Sequence, residues 1–409
     1  MKYVVFLGDG MADVPVPELN GKTPLDAARH PAMDFLAQNG EFGMVRTVPE
    51  GMKPGSDTAN LAVFGYDPQV YYSGRSPLEA ASIGIELAPE DVTYRCNLVT
   101  LSGASTIDET TMLDYSAGEI SSAEARELVD VINERFADAA RRIYPGVSYR
   151  QCFVMRGAEE GAELTPPHDI SRRPVEGKLP KGRNAALLRE MMEYAYAVLK
   201  EHPVNRARVQ AGKNPANAIW FWGEGRRPAL KPFFDMRGVR GGVISAVDLI
   251  QGIGKCADMR VIPVEGATGN YHTNFAGKGQ AAIAALRTDC DFVYIHVEAP
   301  DECGHQCQIP EKVYAIEQID EKIIRPVLDY LEQSGEDYAA LLLPDHPTPV
   351  HLMTHTGDPV PFALYRHIHG RGEQTGSNPG VRYTENAAAA TGLFEPAGYR
   401  LLDRLMKKL

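Results

Sequence analysis

Three short apolar runs in this chain end on acids. Val4-Val5-Phe6-Leu7 runs into Gly8-Asp9, Val293-Tyr294-Ile295-His296-Val297 into Glu298-Ala299-Pro300-Asp301, and Leu341-Leu342-Leu343 into Pro344-Asp345-His346. Histidines accompany two of these acids, as Asp301-Glu302-Cys303-Gly304-His305 and Asp345-His346. A later stretch, His351-Leu352-Met353-Thr354-His355, adds another. Carboxylates mixed with imidazoles suit Mn2+, Zn2+ or Co2+, whereas Mg2+ prefers oxygen alone. Asp9, Asp301, His305, Asp345, His346 and His355 are too many ligands for one tetrahedral site and enough for two ions. Two ions form a clamp for in-line displacement at phosphorus, stabilising both the attacking and the leaving oxygen. Taken singly, an acid after a strand is a turn or cap residue. The joint placement of all of them at strand ends is what points to a centre.

The nucleophile candidate is Ser56, in Lys53-Pro54-Gly55-Ser56-Asp57-Thr58-Ala59-Asn60. Gly55 lets the backbone approach closely, and Ser56 reads as the cap of a helix beginning near Asp57. Such a helix start also favours an anion, for example a transferred phosphate. A serine hydroxyl is a poor nucleophile unless a base or metal activates it. No G-x-S-x-G elbow is present, so metal activation is the better account.

The elements that must position these groups are buried strands and the helices between them. The runs Val4 to Leu7, Phe292 to Val297 and Ala340 to Leu343 read as parallel strands. In a parallel sheet their carboxyl ends share one edge, where ligands bind. Lys312 to Leu331 reads as a helix, with apolar residues at Val313, Ile316, Ile319, Ile323, Ile324 and Leu328, and Thr23-Pro24 opens another. The expected fold is α/β, a mostly parallel sheet flanked by helices. The middle is less regular and more basic, with a capping-box spacing at Ser121 and Glu124. It reads as a smaller α/β or α+β domain at residues 93–236, inserted into a catalytic domain of residues 1–92 and 237–409.

A length of 409 residues makes two domains the natural expectation. The net charge of −12 argues against a general nucleic-acid binder. No segment reaches the ~18 apolar residues of a membrane span, and the N-terminal apolar run is too short for a signal peptide, so the expected location is cytoplasmic. The six cysteines are scattered, which suits a reducing compartment. Cys303 and Cys307 flank His305, but no second pair at zinc spacing accompanies them.

Together these residues resemble the alkaline phosphatase superfamily, and within it the cofactor-independent phosphoglycerate mutases of the archaeal type. The stretches that carry the likeness are Gly8-Asp9-Gly10-Met11-Ala12-Asp13, Pro54 to Leu61 with Gly65-Tyr66-Asp67-Pro68, and Gly74-Arg75-Ser76-Pro77-Leu78-Glu79-Ala80. Tyr94-Arg95-Cys96-Asn97, His202-Pro203-Val204-Asn205 and Glu265 to Tyr271 come next, then Ala299 to His305, Pro344-Asp345-His346 and His355 to Pro361. The likeness runs in unbroken order along nearly the whole chain.

The resemblance implies an alkaline-phosphatase-like core and two divalent ions, Mn2+ first, with Mg2+, Zn2+ or Co2+ as alternatives. One ion would take Asp301, His305 and His355, the other Asp9, Ser56, Asp345 and His346. Ser56 would accept the phosphoryl group of a phosphoglycerate and return it to the neighbouring hydroxyl, interconverting 3- and 2-phosphoglycerate. The inserted domain would close over this small-molecule substrate, keeping water from a phosphoserine. Its carboxylate and phosphate call for cations, and the candidates are Arg75, Arg95, Arg150, His168, Asp169 and Arg208, with Lys278 behind them. This chain has Gly-Ser-Asp around the nucleophile where the bacterial mutases carry Asn-Ser-Glu, which places it in the archaeal-like branch. A homoserine-phosphorylating transferase and a phosphatase would share the metal motifs. The chain has no P-loop for the first, and its large insertion is superfluous for the second.

Overall fold

The computed structural model describes residues 1–369 and 376–407. The chain divides into two compact units, residues 1–72 with 230–409, and residues 73–229.

The first unit is built on an eight-stranded sheet. Its strands run, edge to edge, Arg260–Val261, Gly241–Ile244, Phe292–Val297, Lys2–Gly8, Tyr338–Leu343, Val360–His367, Glu41–Val45 and Phe394–Glu395. The first five are parallel, and Val360–His367 runs antiparallel to both of its neighbours. Lys2–Gly8 is central because every residue from Tyr3 to Leu7 is apolar and buried on both faces. Val4, Phe6, Val293, Ile295, Ala340 and Leu342 face one large core with the helices Pro31–Asn39, Phe275–Thr288 and Ile309–Ile319. Tyr294, on the alternate face, stacks on Phe64 just beyond the helix Ser56–Val63, with ring centroids 4.0 Å apart. Helices therefore cover both faces of a mostly parallel sheet, the expected α/β architecture.

Two local readings are refined. The helix expected over residues 312–331 is helical from Ile309 to Ser334 but contains a π-helical turn at Asp320–Ile324. Pro326 lacks an N–H and its ring clashes with the carbonyl a turn earlier, so the ladder is reset just before it. Ser56 does not cap a helix beginning at Asp57. The helix begins at Ser56 itself, Gly55 takes the cap position, and no side chain caps there.

The second unit is α+β. Strand Val92–Leu101 pairs antiparallel with Met112–Asp114, Arg150–Met155 and Ala218–Arg226, and Arg141–Tyr144 pairs with Arg150–Met155. Its core includes Leu128 and Ile132 of the helix Ser122–Phe136, Leu188 and Met192 of Ala185–Leu199, and Trp220. Ser121 and Glu124 form the anticipated capping box.

The units break at 72/73 and 229/230, not at 92/93 and 236/237. Helix Ser76–Ser82 goes with the second unit because Ser76 Oγ hydrogen-bonds Thr93 Oγ1 at 2.6 Å and Glu79 pairs with Arg95. Phe233 goes with the first, its ring packing on Phe292 and its N–H donating to the Ala257 carbonyl. No helix of the described residues is long and apolar enough to cross a membrane.

Candidate active site

Parallel register brings the strand-end acids together. Gly8 pairs with Val297, and Leu7 with Leu343. Asp9, the helix Ala299–His305 and Asp345-His346 thus leave the sheet at one edge. Two groups of donors result: Asp301, His346 and His355, and Asp9, Asp345 and His346, the ligand atoms of each lying within 4.8 Å of one another. His305 joins the first, its Nε2 3.2 Å from Asp301 Oδ2 and 2.8 Å from His355 Nε2. Ser56 joins the second, its Oγ 3.1 Å from His346 Nε2. All seven residues read from the sequence as ligands or nucleophile are in one cluster, and His346 is common to both groups.

Glycine makes this packing possible at position 10. It has φ +60, and a Cβ there would fall 2.6 Å from Asp301 Oδ1 and from Thr348 Oγ1. Its N–H donates to Asp345 Oδ1 at 3.1 Å.

The electrostatics are those of crowded, buried acid. Burial, then the charges of Asp345, Asp301 and Glu298, push the Asp9 carboxyl well above the usual range. Asp9 Oδ1 is buried 3.5 Å from His346 Nε2 and accepts no hydrogen bond. Burial also works to raise Asp301, but the hydrogen bonds of His305 and His355 bring it well below the ordinary value. Those same contacts raise His305 to about 9, chiefly through Asp301. Burial lowers His346. An orphaned carboxylate oxygen and two imidazole nitrogens facing each other are what cations would resolve, so the donor set fits divalent metal.

Residues that the sequence did not assign to the centre hold these groups. Asn60 Nδ2 donates to the Ser56 carbonyl at 2.9 Å and to Asp345 Oδ2 at 2.8 Å, and Asn60 Oδ1 accepts from the Tyr294 hydroxyl at 2.6 Å. His296 Nε2 lies 3.0 Å from Asp9 Oδ2, with its Nδ1 3.2 Å from Ser245 Oγ. Lys278, the weaker substrate candidate of the sequence, lies in the first unit, where it is wholly buried and donates to the His296 carbonyl at 3.0 Å, and burial lowers its ammonium to about 8. The sequence did carry one signal: Tyr294 and His296 alternate in an otherwise apolar strand, so both face one side.

The candidate substrate residues lie in the second unit. Glu79 binds two of them, with Oε1 2.8 Å from Arg75 Nε and Oε2 2.9 Å from Arg95 Nε. Burial opposes ionisation of Glu79, but Arg95 and Arg75, with Arg150 behind them, hold it below the ordinary value. Arg95 is buried, its guanidinium 4.1 Å from the Trp222 ring centroid. His168 stands edge-on to Trp222, 5.1 Å between centroids, and beside Asp169. Arg150 lies over Tyr149. Arg208 is not among them. It is buried and spent on its own unit, donating to the carbonyls of Ala117 and Asn214 and to Glu124 of the capping box.

Comparison with known proteins agrees with this architecture. The profile of the family described as 2,3-bisphosphoglycerate-independent phosphoglycerate mutase matches residues 37–205. Proteins of that name from Methanosarcina acetivorans and Methanosarcina barkeri are 51% and 48% identical. The first alignment covers 90% of this chain and 91% of the relative, the second 100% of each. Among solved structures, the PH0037 protein of Pyrococcus horikoshii aligns over 100% of this chain and 98% of its own, with 30% identity and a TM-score of 0.82. The cofactor-independent phosphoglycerate mutase of Thermoplasma acidophilum aligns over 99% of each chain, with 27% identity and a TM-score of 0.65. Likeness of this degree over the full length means that the chain belongs to the 2,3-bisphosphoglycerate-independent phosphoglycerate mutases, isomerases that act by intramolecular phosphotransfer.

Proposed function

We propose that this mutase carries the phosphoryl group between the 3- and 2-oxygens of glycerate on Ser56, with two divalent ions beside it. Asp301, His305 and His355 would hold one ion, and Asp9, Asp345 and His346, with Ser56, the other. Two such ions would supply charge neutralisation at the phosphoryl oxygens and would make the serine hydroxyl easier to ionise. Mixed nitrogen and oxygen donors favour Mn2+, Zn2+ or Co2+.

The observation that carries this reading is the position of Ser56 Oγ. It does not cap its helix, and it points at His346 inside a buried acidic cluster that holds an orphaned carboxylate oxygen. The helix start presents backbone N–H groups to a phosphate on that oxygen. Ser56 gives up its proton and attacks phosphorus. The bond to the 3-oxygen breaks and that oxygen gains a proton. The glycerate 2-hydroxyl then reverses the sequence, so no water is consumed. Asn60 fixes the backbone of Ser56 relative to Asp345 throughout. Arg75, Arg95, Arg150, His168 and Asp169 are proposed to hold the anionic ends of the substrate. Arg208 is left out, since it is buried and each of its three nitrogens already donates within its own unit.

The test combines an enolase-coupled assay with acid-quench mass spectrometry, on wild type and Ser56→Ala, across a metal series. Wild type should lose turnover on chelation, regain it with Mn2+, and yield a peptide phosphorylated at Ser56. Full activity in Ser56→Ala, or in the chelated enzyme, sinks the proposal.

A further inference from the structure

Thr348 lies three residues beyond Asp345 and none of the metal-ligand reading uses it. It is completely buried. Its backbone is fixed at both ends: the N–H donates to the Ala12 carbonyl at 3.2 Å, and the carbonyl accepts from Lys312 Nζ at 2.8 Å. Lys312 is itself buried and paired with Asp13 Oδ2 at 2.7 Å. That carboxylate oxygen also accepts from the Val350 N–H at 3.2 Å. The segment after the first strand and the segment after Asp345 are therefore tied together through Lys312, with Thr348 between them.

The hydroxyl so placed touches one ligand from each group of donors. Thr348 Oγ1 donates to Asp301 Oδ1 and lies 3.3 Å from His346 Nδ1. A hydroxyl has one hydrogen. With that hydrogen on the Asp301 carboxylate, the contact with His346 forms only if Nδ1 carries a proton and donates it to the threonine oxygen. A neutral imidazole protonated on Nδ1 has its lone pair on Nε2, and Nε2 is the atom facing Ser56, Asp9 and Asp345.

We infer that Thr348 is a positioning residue that sets the tautomer of His346 and the rotation of Asp301, so that His346 turns the Nε2 lone pair towards the space shared with Asp9, Asp345 and Ser56. The inference rests on the two-ion reading for its consequence but not for its geometry. Removal of a partner that orients a metal-binding imidazole weakens metal affinity by about 10–100-fold. Thr348→Val keeps the shape and loses the hydroxyl, whereas Thr348→Ser keeps the hydroxyl and loses the methyl.

Two measurements on chelator-stripped protein decide it. The first is the His346 tautomer in wild type, read from long-range couplings in 15N-histidine-labelled protein and assigned by difference against His346→Gln. The expected result is a proton on Nδ1, and it needs no folded Thr348 variant. The second is Mn2+ titration by calorimetry. Thr348→Val should bind about 10–100-fold more weakly than wild type, and Thr348→Ser should bind as wild type does. A proton on Nε2 of wild-type His346 overturns the role of Thr348, as does wild-type affinity in Thr348→Val or equal loss in Thr348→Ser. A wild-type protein that takes up no Mn2+ overturns instead the two-ion reading, and leaves the tautomer result to be judged by itself.

Discussion

Tyr294→Phe isolates one hydrogen bond in the support of Ser56, the proposed nucleophile. The Tyr294 hydroxyl is completely buried and donates to Asn60 Oδ1 at 2.6 Å. Burial, then the nearby Asp345 and Asp9 charges, keeps that hydroxyl protonated and so a donor. Phenylalanine preserves the ring and its stack on Phe64, so no cavity of consequence opens. What is lost is the partner of a buried amide oxygen, which costs about 1–3 kcal/mol. In a unit of this size that lowers the melting temperature by about 2–4 °C for each kcal/mol. Asn60 Nδ2 still has the Ser56 carbonyl and Asp345 Oδ2 as acceptors, so turnover should fall but persist. Asn60→Leu removes all three bonds and should cost more in both respects. Circular-dichroism melts and the enolase-coupled assay measure the two effects. An unchanged melting temperature refutes the idea that this bond is part of the scaffold. Abolished turnover at unchanged stability would make the hydroxyl a participant in chemistry instead.

Two further outcomes are expected. Between about 8 and the ordinary 10.5, unfolded chain holds a proton on Lys278 that the folded protein has released, so wild-type stability rises with pH across that window. Lys278→Met should remove about 3 kcal/mol of that rise, measured by denaturant unfolding at both ends of the window, and an identical slope in the variant would contradict the burial argument. Glu79→Gln breaks the charge-assisted bonds to Arg75 and Arg95, each worth about 1.5–3 kcal/mol. It should raise the KM for 3-phosphoglycerate by about tenfold or more with a smaller change in kcat, whereas an unchanged KM would take those arginines out of substrate binding.

The acids proposed to hold metal could be read directly from the sequence because an apolar run ending on Asp is a local pattern, and parallel pairing does the rest. His305 and His355 were legible for the same reason, each lying close in sequence to a strand end. The supports were not. Thr348 and Lys312 meet only through the path of the loop after Asp345, and no spacing encodes that path. Asn60 stands four residues after Ser56, one helical turn on, yet its partners Asp345 and Tyr294 come from distant strands. Arg208 shows the converse limit. A sequence does not distinguish an arginine offered to a ligand from one consumed by carbonyls of its own unit. The unit boundary at 72/73 is hidden in the sequence because helix Ser76–Ser82 looks like a continuation of the helices before it. Glu79 and Ser76 tie that helix to the strand Val92–Leu101 of the second unit, and neither partner is near in the local pattern.

The central position of Lys2–Gly8 bears on how the chain is made. Both strands that flank it, Phe292–Val297 and Tyr338–Leu343, are synthesised long after it. The second unit, by contrast, is one contiguous stretch whose strands pair antiparallel within residues 73–229. On the ribosome, the second unit has its full set of strands while the first still has its middle strand unpaired. That strand, Lys-Tyr-Val-Val-Phe-Leu-Gly, is an apolar, β-prone segment without partners for most of synthesis. The acidic cluster can therefore assemble only after the long-range closure of this sheet, the slow kind of pairing.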